Sequence, residues 1–201
     1  MKNQISKIYN LLATDPIQAE EMALAFSQNS IEQVEKDELN WARGYALVEL
    51  KRFDEARKIW TDIFDRNKNH KALHQIGYVE RSEGNLEKAL KCYESERDLI
   101  SSEDKTAVAA NLYELTFCNF LLGNEKAALV YFSEYEQIEF DEPDLIERAC
   151  FFRLKGDMSD NNVEIARTAY NESIRFFLAS DDEIGAQEIR NKLQSLKSAF
   201  S

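Results

Sequence analysis

The sequence predicts an all-α protein, a stack of four to five antiparallel helical hairpins closed by a C-terminal helix. Three observations carry this. Apolar residues recur at helical spacing along successive segments of about a dozen residues, as in antiparallel helix pairs. Only 2 prolines and 6 glycines interrupt 201 residues that are 44% hydrophobic, which leaves little loop. A fixed internal period joins small residues: Gly44 and Gly77 differ by 33 (77 − 44), as do Ala56 and Ala89 (89 − 56).

Taken in order, residues 3 to 28 read as a shorter first hairpin with Asp15 as N-cap and Pro16 at the first helical position. The hairpins "NWARGYALVELKRFDEARKIWTDIF" and "HKALHQIGYVERSEGNLEKALKCYE" follow. In each, a glycine on the first helix and an alanine on the second let the two backbones approach, and a larger side chain at either point would wedge them apart. The third unit, "NLYELTFCNFLLGNEKAALVYFSEY", is displaced by the polar segment SSEDKT, so Gly123 and Ala128 stand 39 beyond Gly84 and Ala89. In the fourth, Gly156 reads as the turn glycine and Ala149 takes the place of Gly77, with MSDNN delaying the second helix. Gly84, Gly123 and Gly156 are expected to end helices in the left-handed conformation, and Asp54, Asn85 and Asn124 to cap the next ones. A last amphipathic helix over residues 182 to 200 is expected to seal the stack with Ile184, Ile189, Leu193, Leu196 and Phe200. The whole is read as one domain over residues 1–201: a capping hairpin (1–30), repeats (31–180) and a capping helix (181–201).

The three quoted units resemble tetratricopeptide repeats (TPR), whose period is about 34 residues with small residues at the helix crossing and an aromatic on the second helix. Trp60, Tyr93 and Phe132 fill that aromatic place, each four residues after the alanine (60 − 56, 93 − 89, 132 − 128). The resemblance covers roughly residues 38 to 180, and no unit has the closing proline. It implies that the hairpins stack as a right-handed superhelical, TPR-like α-solenoid acting as a binding scaffold for protein or peptide partners.

In that arrangement the first helices line a groove. Aligning the units sets Trp41 and Tyr45, His74 and Tyr78, Tyr113 and Phe117, then Ile146 and Cys150 at matching inward places, with Arg81 and Arg153 a turn further along to bracket a bound carboxylate or carbonyl. Aromatic rings with polar tips are enriched at binding hot spots. The ladder can equally be packed core. The family mode that clamps a C-terminal carboxylate uses lysine and asparagine at these places, which here hold Trp41, Tyr45, His74 and Tyr78.

Charge narrows the partners. With 37 acidic against 25 basic residues and a formal net charge of −12, the chain repels nucleic-acid backbones and anionic membranes, and a basic protein is its electrostatic complement. A second candidate surface is the acidic segment "SEYEQIEFDEPDLIE", with Glu134, Glu136, Glu139, Asp141, Glu142 and Asp144. It reads either as a solvated turn whose carboxylates complement a helix begun at Pro143, or as a steering patch for a basic toxin or nuclease that the chain would neutralise. The opening MKNQISKIYNLLATDP has no apolar core of signal-peptide length, and no later run approaches the roughly 20 apolar residues of a membrane helix, so a cytoplasmic protein is expected. Cys92, Cys118 and Cys150 read as reduced core or groove thiols, not as a disulfide frame or a zinc knuckle.

Catalytic chemistry finds little footing. His70 and His74 share a helix face in HKALH, but Lys71 stands where a zinc protease needs glutamate, so no metal, cofactor or catalytic residue is expected. No serine sits in a Gly-x-Ser-x-Gly elbow. Five of the six glycines serve the repeat, so no phosphate-cradling loop is expected.

Overall fold

The computed structural model describes residues 2–29, 32–138, 144–159 and 162–199. Eleven helices and no strand occur among them: α1 (Lys2–Leu11), α2 (Pro16–Asn29), α3 (Gln33–Glu49), α4 (Phe53–Asn67), α5 (His70–Glu83), α6 (Leu86–Arg97), α7 (Lys105–Leu121), α8 (Glu125–Glu136), α9 (Leu145–Asp157), α10 (Val163–Ala179) and α11 (Glu183–Ala199). The chain divides into two compact units, Met1–Ile100 and Ser101–Ser201.

In the first unit, α1/α2, α3/α4 and α5/α6 are antiparallel hairpins, and α2 packs on α3 and α4 on α5. The core runs through the hairpin crossings. Trp60 and Tyr93 are fully buried, as are Ala56 and Ala89. The glycines explain how such large rings fit: a Cβ on Gly44 would lie 2.5 Å from Trp60 Cζ2, and one on Gly77 2.7 Å from Tyr93 Cε1. The alanine and glycine expected at the crossing are thus the two sides of a slot, and the aromatic four residues after the alanine fills it.

Ion pairs tie neighbouring hairpins together. Glu20 of α2, almost fully buried, accepts from Arg43 Nε of α3 at 2.7 Å. Glu80 of α5 accepts from Arg57 Nε of α4 at 2.7 Å, and Asn85 Nδ2 donates to it at 3.0 Å. A buried carboxylate needs such partners, since desolvating an unpaired charge costs several kcal/mol.

In the second unit, α7/α8 and α9/α10 are hairpins, α7 packs on α9, and α11 lies on α10. Its fourth repeat differs from expectation. Gly156 is buried inside α9, and positive φ among the glycines is found at Gly84 (91°) and Gly123 (73°). A Cβ on Gly156 would lie 2.4 Å from Tyr170 Cε1, so Gly156 takes the place of Gly77, and Ala166, four residues before Tyr170, that of Ala89. The 33-residue spacing from Gly123 to Gly156 is a coincidence of sequence. Thr116, twelve residues before Ala128, fills the corresponding place in the third unit, as Gly77 does before Ala89 (128 − 116, 89 − 77). It is buried and donates its hydroxyl to Leu112 O at 2.7 Å.

Helix starts also refine the reading. Asp15 Oδ1 accepts from Gln18 N at 3.0 Å, the expected cap of α2. Asp104 caps α7 through Ala107 N, so the end of SSEDKT is helix and not connection. Asp54 lies inside the first turn of α4, whose N-cap is Arg52. Asn85 and Asn124 hold N-cap positions without a side-chain cap bond. Their amides instead donate back, to Glu80 and Glu83 and to Asn119. α9 begins at Leu145, capped by Asp144, while Pro143 lies outside the described residues. On α11, Ile189 is buried and Leu193 and Leu196 pack against the core as expected, whereas Ile184 is 74% exposed; Phe200 lies outside the described residues. No helix among the described residues is long and apolar enough to cross a membrane.

Candidate partner-binding face

The first unit brings Trp41, Tyr45, His74, Tyr78 and Arg81 onto the first helices of adjacent hairpins, α3 and α5. Each is half-buried. Their inner edges rest on the core rings: Trp41 and Tyr45 meet Trp60 edge-on, at centroid distances of 6.4 and 5.4 Å, and His74 meets Tyr93 at 5.3 Å. Trp41 Nε1–H donates to Tyr45 Oη at 3.3 Å, which fixes the two rings together. Burial pushes the Tyr45 phenol above its ordinary pKa, and the nearby Tyr78 phenol adds to that rise. Arg81 lies over the Tyr78 ring, 5.4 Å from its centroid.

Sequence reasoning missed the first rung. Tyr9 of α1 stands 6.3 Å from Tyr45 and extends the aromatic series into the first hairpin. Its signal was available, an aromatic on the first helix of a hairpin already recognised, but the α1/α2 unit lacks the glycine that sets the register elsewhere.

His70 and His74 both turn toward Glu96 of α6, a fully buried carboxylate. His74 Nδ1 lies 2.9 Å from Glu96 Oε2, and His70 Nδ1 3.5 Å from Oε1. No group of three or more His, Cys, Asp or Glu with metal-binding geometry occurs among the described residues. Glu96 therefore pins one edge of the His74 imidazole from within the fold, which a lone inward histidine would not have revealed.

In the second unit, Tyr113 and Phe117 of α7 stack at 6.0 Å with planes 18° apart. The corrected register of α9 changes what stands beside them. The places three before and one after the crossing glycine, held by Trp41 and Tyr45 around Gly44, belong to Arg153 and Asp157 around Gly156, not to Ile146 and Cys150. Arg153 lies over Phe117 at 5.9 Å and pairs with Glu188 of α11 at 2.9 Å. Asp157 accepts from Tyr170 Oη at 2.8 Å and from Lys192 Nζ of α11 at 2.7 Å. This part of the face is a charged network engaged by the last helix. Asp157 and Lys192 were not anticipated, because the misplaced glycine hid their register.

The structure describes part of the acidic segment. Glu134 and Glu136 are exposed on α8, and Glu136 accepts from Lys155 Nζ at 3.0 Å. Asp144 is occupied as a cap, accepting from Ile146 N and Glu147 N at 3.0 and 3.1 Å. Glu139, Asp141 and Glu142 lie outside the described residues. Burial raises the thiols of Cys92 to about 11 and Cys150 to about 12, so both are protonated at neutral pH and poor nucleophiles.

No family model matches the chain. The BBSome complex member bbs-4 of Caenorhabditis elegans is 32% identical over 108 residues, which make up 50% of this chain and 22% of that protein. Among solved structures, a tetratricopeptide repeat protein from Parabacteroides merdae superimposes with a TM-score of 0.56 at 16% identity, covering 96% of this chain and 78% of its own. The nearly identical TPR-like repeats of a Podosopora anserina chain assigned as a kinesin light chain give a TM-score of 0.56 at 12% identity, covering 98% and 95%. At such identities the likeness is one of fold. The fold is that of TPR-like helical-hairpin repeats.

Proposed function

We propose that this chain is a non-enzymatic adaptor or receptor that holds a peptide or a helix of a partner protein on the first-helix face of its N-terminal unit. The observation that carries this reading is the half-burial of Trp41, Tyr45, His74, Tyr78 and Arg81 on adjacent helices. The core-side edges of Trp41, Tyr45 and His74 are fixed by Trp60, Tyr93 and Glu96, and Arg81 lies over the Tyr78 ring, so these side chains offer contact area with little rotamer entropy left to lose. Such pre-fixed aromatic and arginine side chains are the usual anchors of protein interfaces. The three cysteines are thiols, and the proposed setting is cytoplasmic, where they stay reduced.

Tyr78→Ala combined with Arg81→Ala tests it on a partner captured from the native cell and then purified. Binding weakened by about 2 kcal/mol, the scale of a hot spot, with the helical signal and melting retained, is the expected result. Full affinity in the double variant would remove this face from consideration.

A further inference from the structure

A pocket of about 640 Å3 opens in the N-terminal unit at the edge of the aromatic face, sharing Trp41 with it. Its apolar lining includes Ile5 and Tyr9 of α1, Trp41 of α3 and Ile63 of α4. Two carboxylates, Asp37 and Glu38 of α3, complete it, and the rest of its described lining is uncharged. The volume falls within the range of roughly 300 to 1,000 Å3 typical of ligand pockets, room for a few side chains.

Each class of occupant meets this lining differently. An anion would approach two carboxylates in a chain already at −12. A purely apolar side chain would cover the rings but desolvate Glu38, which is exposed. Asp37 is already held by Arg66 Nη2 at 2.5 Å and by Gln33 Nε2 at 2.8 Å, so Glu38 carries the charge that is open to a newcomer. The local field is negative: the Tyr9 phenol is pushed up to about 12, by burial first and then by Tyr45 and Glu38. A long basic side chain satisfies all of these at once. Its stem lies on aromatic and aliphatic surface, its head reaches the carboxylate, and a cation over an indole or phenol ring gains further attraction.

We infer that this pocket receives a basic amphipathic segment of a partner protein, with a lysine or arginine head at Glu38 and Asp37 and apolar atoms on Ile5, Tyr9 and Trp41. The inference rests on the peptide-binding reading above. It adds the partner's chemistry and a second anchoring place apart from Tyr78 and Arg81.

The test is selection of a random-dodecamer phage library on the whole chain, with the enriched peptides resynthesised and their Kd measured by fluorescence anisotropy. The expected peptides carry lysine or arginine beside a large apolar residue. Glu38→Lys, an exposed change checked for retained helicity, should weaken them about tenfold at low ionic strength, with the loss shrinking in high salt. Replacing the peptide's basic residue by glutamine should cost as much, and the two changes together little more than either. Trp41→Ala should also weaken binding. Selected peptides that are acidic or neutral, or that bind Glu38→Lys as tightly as the parent, overturn the inference. If those peptides still lose affinity with Tyr78→Ala, the first-helix face stands and the pocket alone is refuted. If no peptide is enriched, both readings fail.

Discussion

Replacing Gly77 by alanine separates two accounts of the repeat by the sign of the effect. Were Gly77 simply a glycine within a helix, alanine would stabilise by about 0.5 to 1 kcal/mol through backbone entropy and helix propensity. In this fold the new Cβ would sit 2.7 Å from Tyr93 Cε1, against an ordinary contact of 3.4 Å or more, so the ring must move by roughly 0.7 Å. Tyr93 is fully buried, and His74 stands 5.3 Å away, so little room exists for that shift. Overpacking of this kind costs about 1 to 3 kcal/mol. After the propensity gain is subtracted, a net loss of about 1 kcal/mol remains. Thermal and urea denaturation followed by circular dichroism should show a lower midpoint. In a Tyr93→Leu background, where the ring is gone, the same Gly77→Ala change should be neutral or stabilising. A higher melting midpoint for Gly77→Ala in the parent chain would refute the slot-and-ring account of the hairpin crossing.

Arg57→Ala should cost about 2 kcal/mol in denaturant midpoint analysis, because the buried Glu80 would lose its guanidinium partner; a change within error would mean that water or Lys88 replaces it. Asp144→Ala should lose about 1 kcal/mol, read as earlier melting, by freeing the first amides of α9, and Asp144→Asn should recover most of it. In a Cys118→Ser, Cys150→Ser chain, iodoacetamide labelling of Cys92 should rise with a midpoint near pH 11, since burial disfavours the thiolate. The neutral thiol's contribution to stability is then full below the ordinary thiol range and is lost as pH rises through about 11, and a labelling midpoint near pH 9 would contradict it.

Fold and site were not equally legible in the sequence. The hairpins of the N-terminal unit could be read because Gly44 and Gly77 are each followed twelve residues later by an alanine and sixteen later by a ring, a pattern that steric fit alone enforces. The fourth repeat was misread because its first helix ends one residue after the crossing glycine, which stands ten residues before its alanine and not twelve (166 − 156, 89 − 77), so a glycine at the crossing imitated one in the turn. That error carried into the site, setting Ile146 and Cys150 where Arg153 and Asp157 stand. Trp41, Tyr45, His74 and Tyr78 could be named from register. The hold of Glu96 on His74 could not, because a charged residue 22 positions away gives no sign in sequence that it is buried. The acidic run kept two readings open in sequence for a related reason: composition does not tell a cap such as Asp144 from a free carboxylate.

The central claim is that a partner lies on the first-helix face of the N-terminal unit, and photo-crosslinking in the native cell addresses it most directly. Benzoylphenylalanine would replace Tyr78 in one chain and Lys91, exposed on α6, in another. The account predicts a discrete protein adduct from position 78 that is weak or missing from position 91. Adducts from position 91 with none from position 78 would contradict it.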